Sequence, residues 1–285
     1  MKKAVAIGFI WLIFIFPGVC NAQSNGFILL ASTIGPIDSG IVDLLENEFE
    51  KEIGIRVRHV GADTGAALEI AKKGNVDLVM VHAKSLEEKF VQEGFGTERI
   101  ALMYNDFVIV GPAVDPAGIK GLKSAPEALK KLSEKQAVFV TRGDRSGTHV
   151  AEMEIWQKAG IKPQGSWYYT CPRGAEGNVP TLRHTDKMQA YTYMDRATYL
   201  ALKDQISLVI LVEKDEVMMN FISLIPVNPQ KFPRVNNEGA RKFVRWLTSP
   251  DKGQKIIQDF GRDKYGSPLF FPNSKEWRET KGLNK

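Results

Sequence analysis

The run Asp106-Phe107-Val108-Ile109-Val110-Gly111 is apolar almost throughout, and Pro112 and the turn Asp115-Pro116-Ala117-Gly118 close it. A short apolar run between turn signals reads as a buried strand. Its place in the chain decides the fold. Strand–turn–helix units precede it and the same alternation restarts after it, so this strand carries the chain from one α/β block into another. A second extended apolar segment, over residues 217–226, brings the chain back. Two crossings make a hinge, and the cleft between the joined blocks is a natural place for a ligand. The expected architecture is therefore α/β and two-lobed, with two hinge crossings and an inter-lobe cleft. Residues 23–108 plus 220–285 would form lobe 1, and residues 109–219 lobe 2. A single large doubly wound domain is the alternative.

Working outward, residues 26–32 read as a buried strand, and Pro36 suits the first turn of a following helix, where its missing N–H does no harm. That helix carries Ile41, Leu44, Leu45 and Phe49 at helical spacing. A strand is expected over 55–60, and a helix capped by Thr64 and ended by Gly74-Asn75. A buried strand at 76–81 and a charged helix near 85–93 complete the first block. The second block reads as a helix at 125–132, a strand at 137–141, and a helix at 146–159 with Val150, Met153, Ile155 and Trp156 on or near one face. A helix near 195–202 and a strand at 208–212 follow. Closing helices are expected at 239–247 and 252–260. Repeated β–α units argue a parallel or mixed sheet covered by helices.

At the N-terminus, Lys2 and Lys3 precede an apolar run from Ala4 to Phe16, then Pro17-Gly18 and the small-residue site Cys20-Asn21-Ala22. This is the pattern of a secretory signal peptide over residues 1–22. The run is shorter than the roughly 20 residues of a spanning helix. The expected location is thus periplasmic or otherwise extracytoplasmic. The formal net charge of the whole chain is +5. Loss of the leader removes two lysines and no acid, so the mature protein is only slightly basic and nothing invites nucleic acid as a partner. Of two cysteines only Cys171 remains, which excludes a disulfide framework and leaves a core to supply stability.

Chemistry concentrates in Thr141-Arg142-Gly143-Asp144-Arg145-Ser146-Gly147-Thr148-His149, between an expected strand and an expected helix. Ser146 is a natural N-cap, and Gly147 lets a ligand approach the backbone. The first-turn N–H groups lack internal partners and carry partial positive charge. Arg142 adds a planar fork of donors suited to a tetrahedral oxyanion, and Thr141, Ser146 and Thr148 add hydroxyls. Asp144 could hold that fork or accept a proton from a protonated ligand. A similar junction, Gly61-Ala62-Asp63-Thr64-Gly65, offers Asp63 and Thr64. A third, at the carboxyl end of the first strand, offers Ser32 and Thr33. Together they describe a site for a small anion divided between two lobes. No nucleophile–base pair stands out, so no catalytic residues, enzyme activity or cofactor are expected. His59 and His184 have no neighbours at metal-ligand spacing, so no metal site is expected.

With these residues in hand, the chain resembles the tungstate-binding proteins of ABC transporters (the TupA family), within the type II periplasmic binding proteins. The similarity spans nearly the whole mature chain. It includes Asp38-Ser39-Gly40, Thr64-Gly65, Asp77-Leu78-Val79, Val81-His82-Ala83, the stretch from Tyr104 to Pro112, and Thr141 to His149. Asp195-Arg196-Ala197-Thr198-Tyr199-Leu200, Val227-Asn228-Pro229 and Phe260-Gly261-Arg262-Asp263-Lys264-Tyr265-Gly266 belong to it too. The resemblance implies a monomeric receptor that binds a small oxyanion, tungstate first and a molybdate-like anion next, and delivers it to an ABC permease. Where the family carries a run of hydroxyls this chain has Ser32-Thr33-Ile34-Gly35, and where it carries Gly this chain has Asp63. A phosphate-like anion or a small organic carboxylate is therefore the alternative ligand. Arg173 and Arg196 are candidate compensating charges for Asp63.

Overall fold

The computed structural model describes residues 27–283, so the expected leader lies outside the described residues. The chain runs through β1 (Ile28–Thr33), α1 (Ile34–Ser39), α2 (Ile41–Ile53), β2 (Val57–Ala62), α3 (Thr64–Ala71), β3 (Leu78–Val81), α4 (Lys84–Gln92) and β4 (Ile100–Gly111). It continues through α5 (Ala125–Glu134), β5 (Phe139–Thr141), α6 (Gly147–Lys158), β6 (Tyr168–Thr170), α7 (Asn178–Met188), β7 (Thr192–Asp195), α8 (Arg196–Leu202) and β8 (Val209–Val212). It ends with β9 (Met219–Pro226), α9 (Asn237–Thr248), α10 (Gly253–Asp259), α11 (Arg262–Tyr265), β10 (Phe271–Pro272) and α12 (Lys275–Thr280).

The apolar run from Asp106 to Gly111 is the far half of β4. Its near half lies in a mixed sheet of order β10-β4-β9-β3-β1-β2, in which β1 pairs with β2 and β3 in parallel while β9 runs antiparallel to β3 and β4. The far half, from Phe107 onward, pairs instead with β7 and β8. β5 attaches to β7 through backbone hydrogen bonds at Tyr191, and β6 lies beside β5. Helices cover both sheets, so the central strands are buried on both faces and read as continuous apolar runs rather than alternating ones.

Two large cores result. The first collects Ile28, Leu30, Leu45, Phe49, Met103, Leu224, Phe243 and Trp246 among others. Phe49 of α2 stacks near Phe243 and Trp246 of α9, with ring centroids 4.7 and 5.6 Å apart. The second collects Ile109, Leu129, Phe139, Ile155, Trp156, Tyr191 and Tyr193 among others. α8 serves both sides: Leu200 enters the first core, while Leu202 joins Val108, Leu182 and Met194 in a neighbouring cluster. Each large core buries apolar side chains worth roughly 1.5–3 kcal/mol apiece before chain entropy is set against them.

The structure corrects the sequence reading in several places. Val150 and Met153 of α6 face solvent, and only Ile155 and Trp156 reach the core. The N-cap of α3 is Asp63, not Thr64, so the helix begins at Thr64, one residue earlier than a Thr64 cap implies. α7 was not foreseen. Asp43 and Glu46 of α2 stand beside His59 of β2, giving that histidine the neighbours its sequence spacing did not show.

Candidate functional site

Because β1, β2 and β3 are parallel neighbours, their carboxyl ends lie at one edge of the sheet, with Ser32 opposite Gly61 and Met80 and Thr33 opposite Ala62. The turns that follow therefore bring Ser32-Thr33, Asp63-Thr64 and His82-Ala83 together. Most polar groups here are occupied. The Asp63 carboxylate accepts the N–H of Ala66 at 2.8 Å. The Thr64 hydroxyl donates to the His82 carbonyl at 2.6 Å, and the Ser32 hydroxyl to the Thr33 carbonyl at 3.3 Å. Burial pushes the His82 imidazole below its ordinary range, which keeps it neutral at neutral pH. The exception is Thr33. It caps no N–H of α1, and its Oγ1 is buried without a hydrogen-bond partner. Ala83 holds φ at 138°, a conformation that a residue with a Cβ adopts only under constraint.

The second group is the loop from Thr141 to Thr148. Ser146 is the N-cap of α6, accepting the His149 N–H at 3.4 Å, as its sequence position foretold. Asp144 holds the Arg142 fork, taking one terminal nitrogen at 2.6 Å. The other terminal nitrogen donates to Asn178 Oδ1. Asn178, on α7, donates in turn to Asp195 at 2.6 Å, and Asp195 caps α8 by accepting the Thr198 N–H at 2.8 Å. Arg142 is thus clamped at both ends of its fork, while its Nε is buried without a partner. Burial raises the Asp144 carboxyl, but hydrogen bonds from Ser146 and the charge of Arg142 outweigh it and hold the group below the usual carboxylate range. Asp144 is therefore an ionised brace whose oxygens are already engaged.

Two glycines shape this loop. Gly143 has φ +68° and lies against Thr170, where an added Cβ would stand 2.6 Å from Cγ2. Gly174 is pressed onto the Arg142 backbone, where a Cβ would stand 2.1 Å from the carbonyl oxygen. Beneath the loop, Thr141 Oγ1 donates to Glu152 at 2.8 Å, and Trp156 and Tyr168 donate to the same carboxyl at 3.1 and 2.7 Å. Gly147 has open space where a Cβ would be, and Thr148 is buried. Arg145 is exposed, and its N–H bonds to His149 Nδ1.

Among the described residues no hydrogen bond or ion pair joins the two groups. Each presents a buried donor that the protein leaves unsatisfied, at a cost of about 1–3 kcal/mol apiece unless another acceptor arrives. The first-turn N–H groups of α6 belong to the same loop-to-helix junction as Arg142. Such an array of donors suits an oxyanion. Asn178, Asp195 and Glu152 were missed by sequence reasoning. Arg173 and Arg196 do not compensate Asp63: Arg173 is bonded to Glu176 at 2.8 Å, and Arg196 to Asp106 at 2.7 Å and Glu213 at 2.8 Å.

A family model described as PBP superfamily domain matches residues 21–251. A tungstate-binding protein, TupA, of Peptoclostridium acidaminophilum is 46% identical over 258 residues, covering 89% of this chain and 88% of its own. Among solved structures, the tungstate-binding TupA of Desulfovibrio alaskensis G20 aligns with a TM-score of 0.81 at 40% identity, covering 87% of this chain and 99% of that one. A structure described as the tungstate ABC transporter from Geobacter sulfurreducens aligns with a TM-score of 0.67 at 43% identity, covering 82% and 98%. The span matched by the family model, residues 21–251, includes both groups of turns. The chain belongs to the PBP superfamily, in the family of the TupA tungstate-binding proteins.

Proposed function

We propose that this protein is the tungstate receptor of an ABC importer, with molybdate the next-best ligand. The observation that carries the reading is the pair of buried, unpartnered donors, Thr33 Oγ1 and Arg142 Nε, one in each group of turns. The names of the relatives and solved structures favour tungstate and an ABC transporter as partner. The extracytoplasmic location follows from the family. The finer reading is cleavage of a signal peptide after Ala22, giving a mature N-terminus at or near Gln23, which intact-mass measurement of exported protein checks.

In this reading residues 23–108 plus 220–285 form one lobe and 109–219 the other, and the anion sits in the cleft between them. Ser32, Thr33, Asp63 and Thr64 line it from the first lobe, and Thr141, Arg142, Asp144, Ser146, Gly147 and Thr148 from the second. Their roles differ. Thr64 and Thr141 have spent their protons on His82 and Glu152, and both position the backbone. Thr33, Arg142 and the open N–H groups of α6 donate to the ligand. Asp63 is turned onto its own helix, where the helix N-terminus offsets its charge. Asp144 is ionised, with its oxygens engaged by Arg142 and the Ser146 N–H, so it offers no acceptor to a ligand proton, which favours a fully ionised dianion over a protonated phosphate in the second lobe.

Titration calorimetry with tungstate, molybdate, sulfate, phosphate and small carboxylates tests the proposal. Tungstate should bind tightest and the carboxylates scarcely at all. A carboxylate or phosphate that binds more tightly than tungstate would overturn it.

A further inference from the structure

Away from the strand-end turns, the first sheet carries a second cluster of polar side chains. Asp43 and Glu46 stand three residues apart on α2 and so share a face. His59 reaches them from β2, its Nδ1 3.1 Å from Glu46 Oε1 and 4.0 Å from Asp43 Oδ1. One ligand atom from each residue falls within 4.8 Å of the others. We propose that these three side chains bind a first-row divalent cation of the zinc class, with water completing its coordination.

Size, charge and donor type agree. Ligand atoms about 2.1 Å from a tetrahedral ion stand roughly 3.4 Å apart, and the observed 3.1 and 4.0 Å bracket that spacing. Glu46 is only 5% exposed, and its hydrogen-bond partner is an imidazole that is charged only if protonated. The nearby fixed cation, Arg58, is exposed and bonds instead to Glu50 and to the Val57 carbonyl. Among the described residues no permanently charged side chain hydrogen-bonds this buried carboxylate, whose ionised form needs a positive charge beside it. A bound cation would supply that charge. Asp43 is exposed and leaves one side of the cluster open for entry and for water. One nitrogen and two carboxylates suit zinc, cobalt or nickel, whereas calcium and magnesium prefer larger sets of oxygen ligands. The bound ion would pin α2 to β2.

The test uses the full mature protein stripped with a chelator. Co²⁺ is titrated in while visible ligand-field bands are followed, and Zn²⁺ is then added as competitor. His59→Ala and Asp43→Asn are measured alongside, with tungstate titration and circular dichroism as checks on the fold. Wild type should take up a single Co²⁺ with intense tetrahedral-type bands that an equivalent of Zn²⁺ bleaches. Both variants should lose roughly 100-fold or more in metal affinity while tungstate binding stays unchanged. Bands that are absent in wild type, that survive in His59→Ala, or that yield to Mg²⁺ or Ca²⁺ would overturn the proposal. The outcomes that would overturn the proposal are read from the cobalt bands alone, so they do not depend on which anion the other site takes.

Discussion

Replacing Arg142 by Ala tests the site most directly. The side chain is 12% exposed, clamped between Asp144 and Asn178, with its Nε unsatisfied. A dianion beside it would be one half of a desolvated charge pair. Removing the other half of such a pair costs about 2–5 kcal/mol of binding, a loss of roughly 30-fold to several thousand-fold in affinity. The upper part of that range is expected here, because Arg142 is buried and pre-oriented by its two partners. Arg142→Lys keeps the charge but cannot reach both Asp144 and Asn178 while presenting a third donor, so it should recover only part of the loss.

The control is Arg145, three residues on. Its side chain is exposed and only its backbone N–H is bonded, to His149, so Arg145→Ala should cost well under tenfold. Calorimetric titration of tungstate into the three variants, with competition where binding is tight, gives the comparison. Equal and small losses at 142 and 145 would mean that the loop is an ordinary capped helix start and that the anion binds elsewhere. A loss at 142 confined to thermal stability would mean that Arg142 serves only to neutralise Asp144.

Three further outcomes are expected. Thr33→Val removes a buried hydroxyl that no protein group satisfies, so thermal unfolding of the ligand-free protein should stay level or rise, while tungstate affinity falls by roughly tenfold or more. Gly174→Ala forces a Cβ onto the Arg142 carbonyl, so it should lower both stability and affinity, whereas Gly147→Ala, with open space around it, should leave stability nearly unchanged. Burial lifts the Glu152 carboxyl from 4.5 to about 7 against hydrogen bonds from Tyr168, Thr141 and Trp156. The folded protein therefore keeps this proton between those values while the unfolded chain releases it. The stability due to this group is full below about pH 4.5 and is lost as pH rises toward 7, by about 3 kcal/mol. Glu152→Gln should flatten that slope, as read from urea unfolding at about pH 5 and about pH 8. An unchanged slope would place the group's titration elsewhere.

What the sequence revealed was whatever depends on neighbours in the chain. The Ser146 cap, the Asp144 brace on Arg142 and the apolar strand of β4 are all local, and each follows from residue type and position. What it hid depends on the tertiary fold. Asn178 lies 36 residues beyond the arginine it clamps, on a helix whose Pro180, Thr181, His184 and Thr185 gave no strong apolar stripe. Glu152 reads as an ordinary charged position until α6 is laid against β5 and Tyr168. Asp63 and Thr64 are both good caps, and the choice between them rests on which residue the strand delivers in extended conformation; Asp63 has φ −69° and ψ 166°. His59 meets Glu46 only because β2 packs beside α2.

The hinge strand shows how a local pattern and a long-range one meet at a single residue. Asp106 pairs with Met219 in one sheet, and the next residue, Phe107, pairs with Asp195 in the other. At that changeover Arg196 grips Asp106 through two hydrogen bonds, at 2.7 and 2.5 Å, and also reaches Glu213. Arg196 opens α8, the helix that sends Leu200 into the first core and Leu202 into the cluster around Val108 and Met194. A buried ion pair of this kind adds little net stability, but losing one partner is costly, so it resists separation. If the two lobes close on the ligand, as two hinge crossings allow, the chain would turn about this point. Thr33 lies three strands from β4 in the sheet order, and Arg142 follows a strand two away. At about 4.8 Å per strand those are roughly 14 and 10 Å. A rotation that scarcely moves Asp106 relative to Arg196 would therefore still carry the two unsatisfied donors through sizeable arcs. The pivot is held by charges the protein satisfies itself, and the moving ends carry the donors it leaves for a ligand.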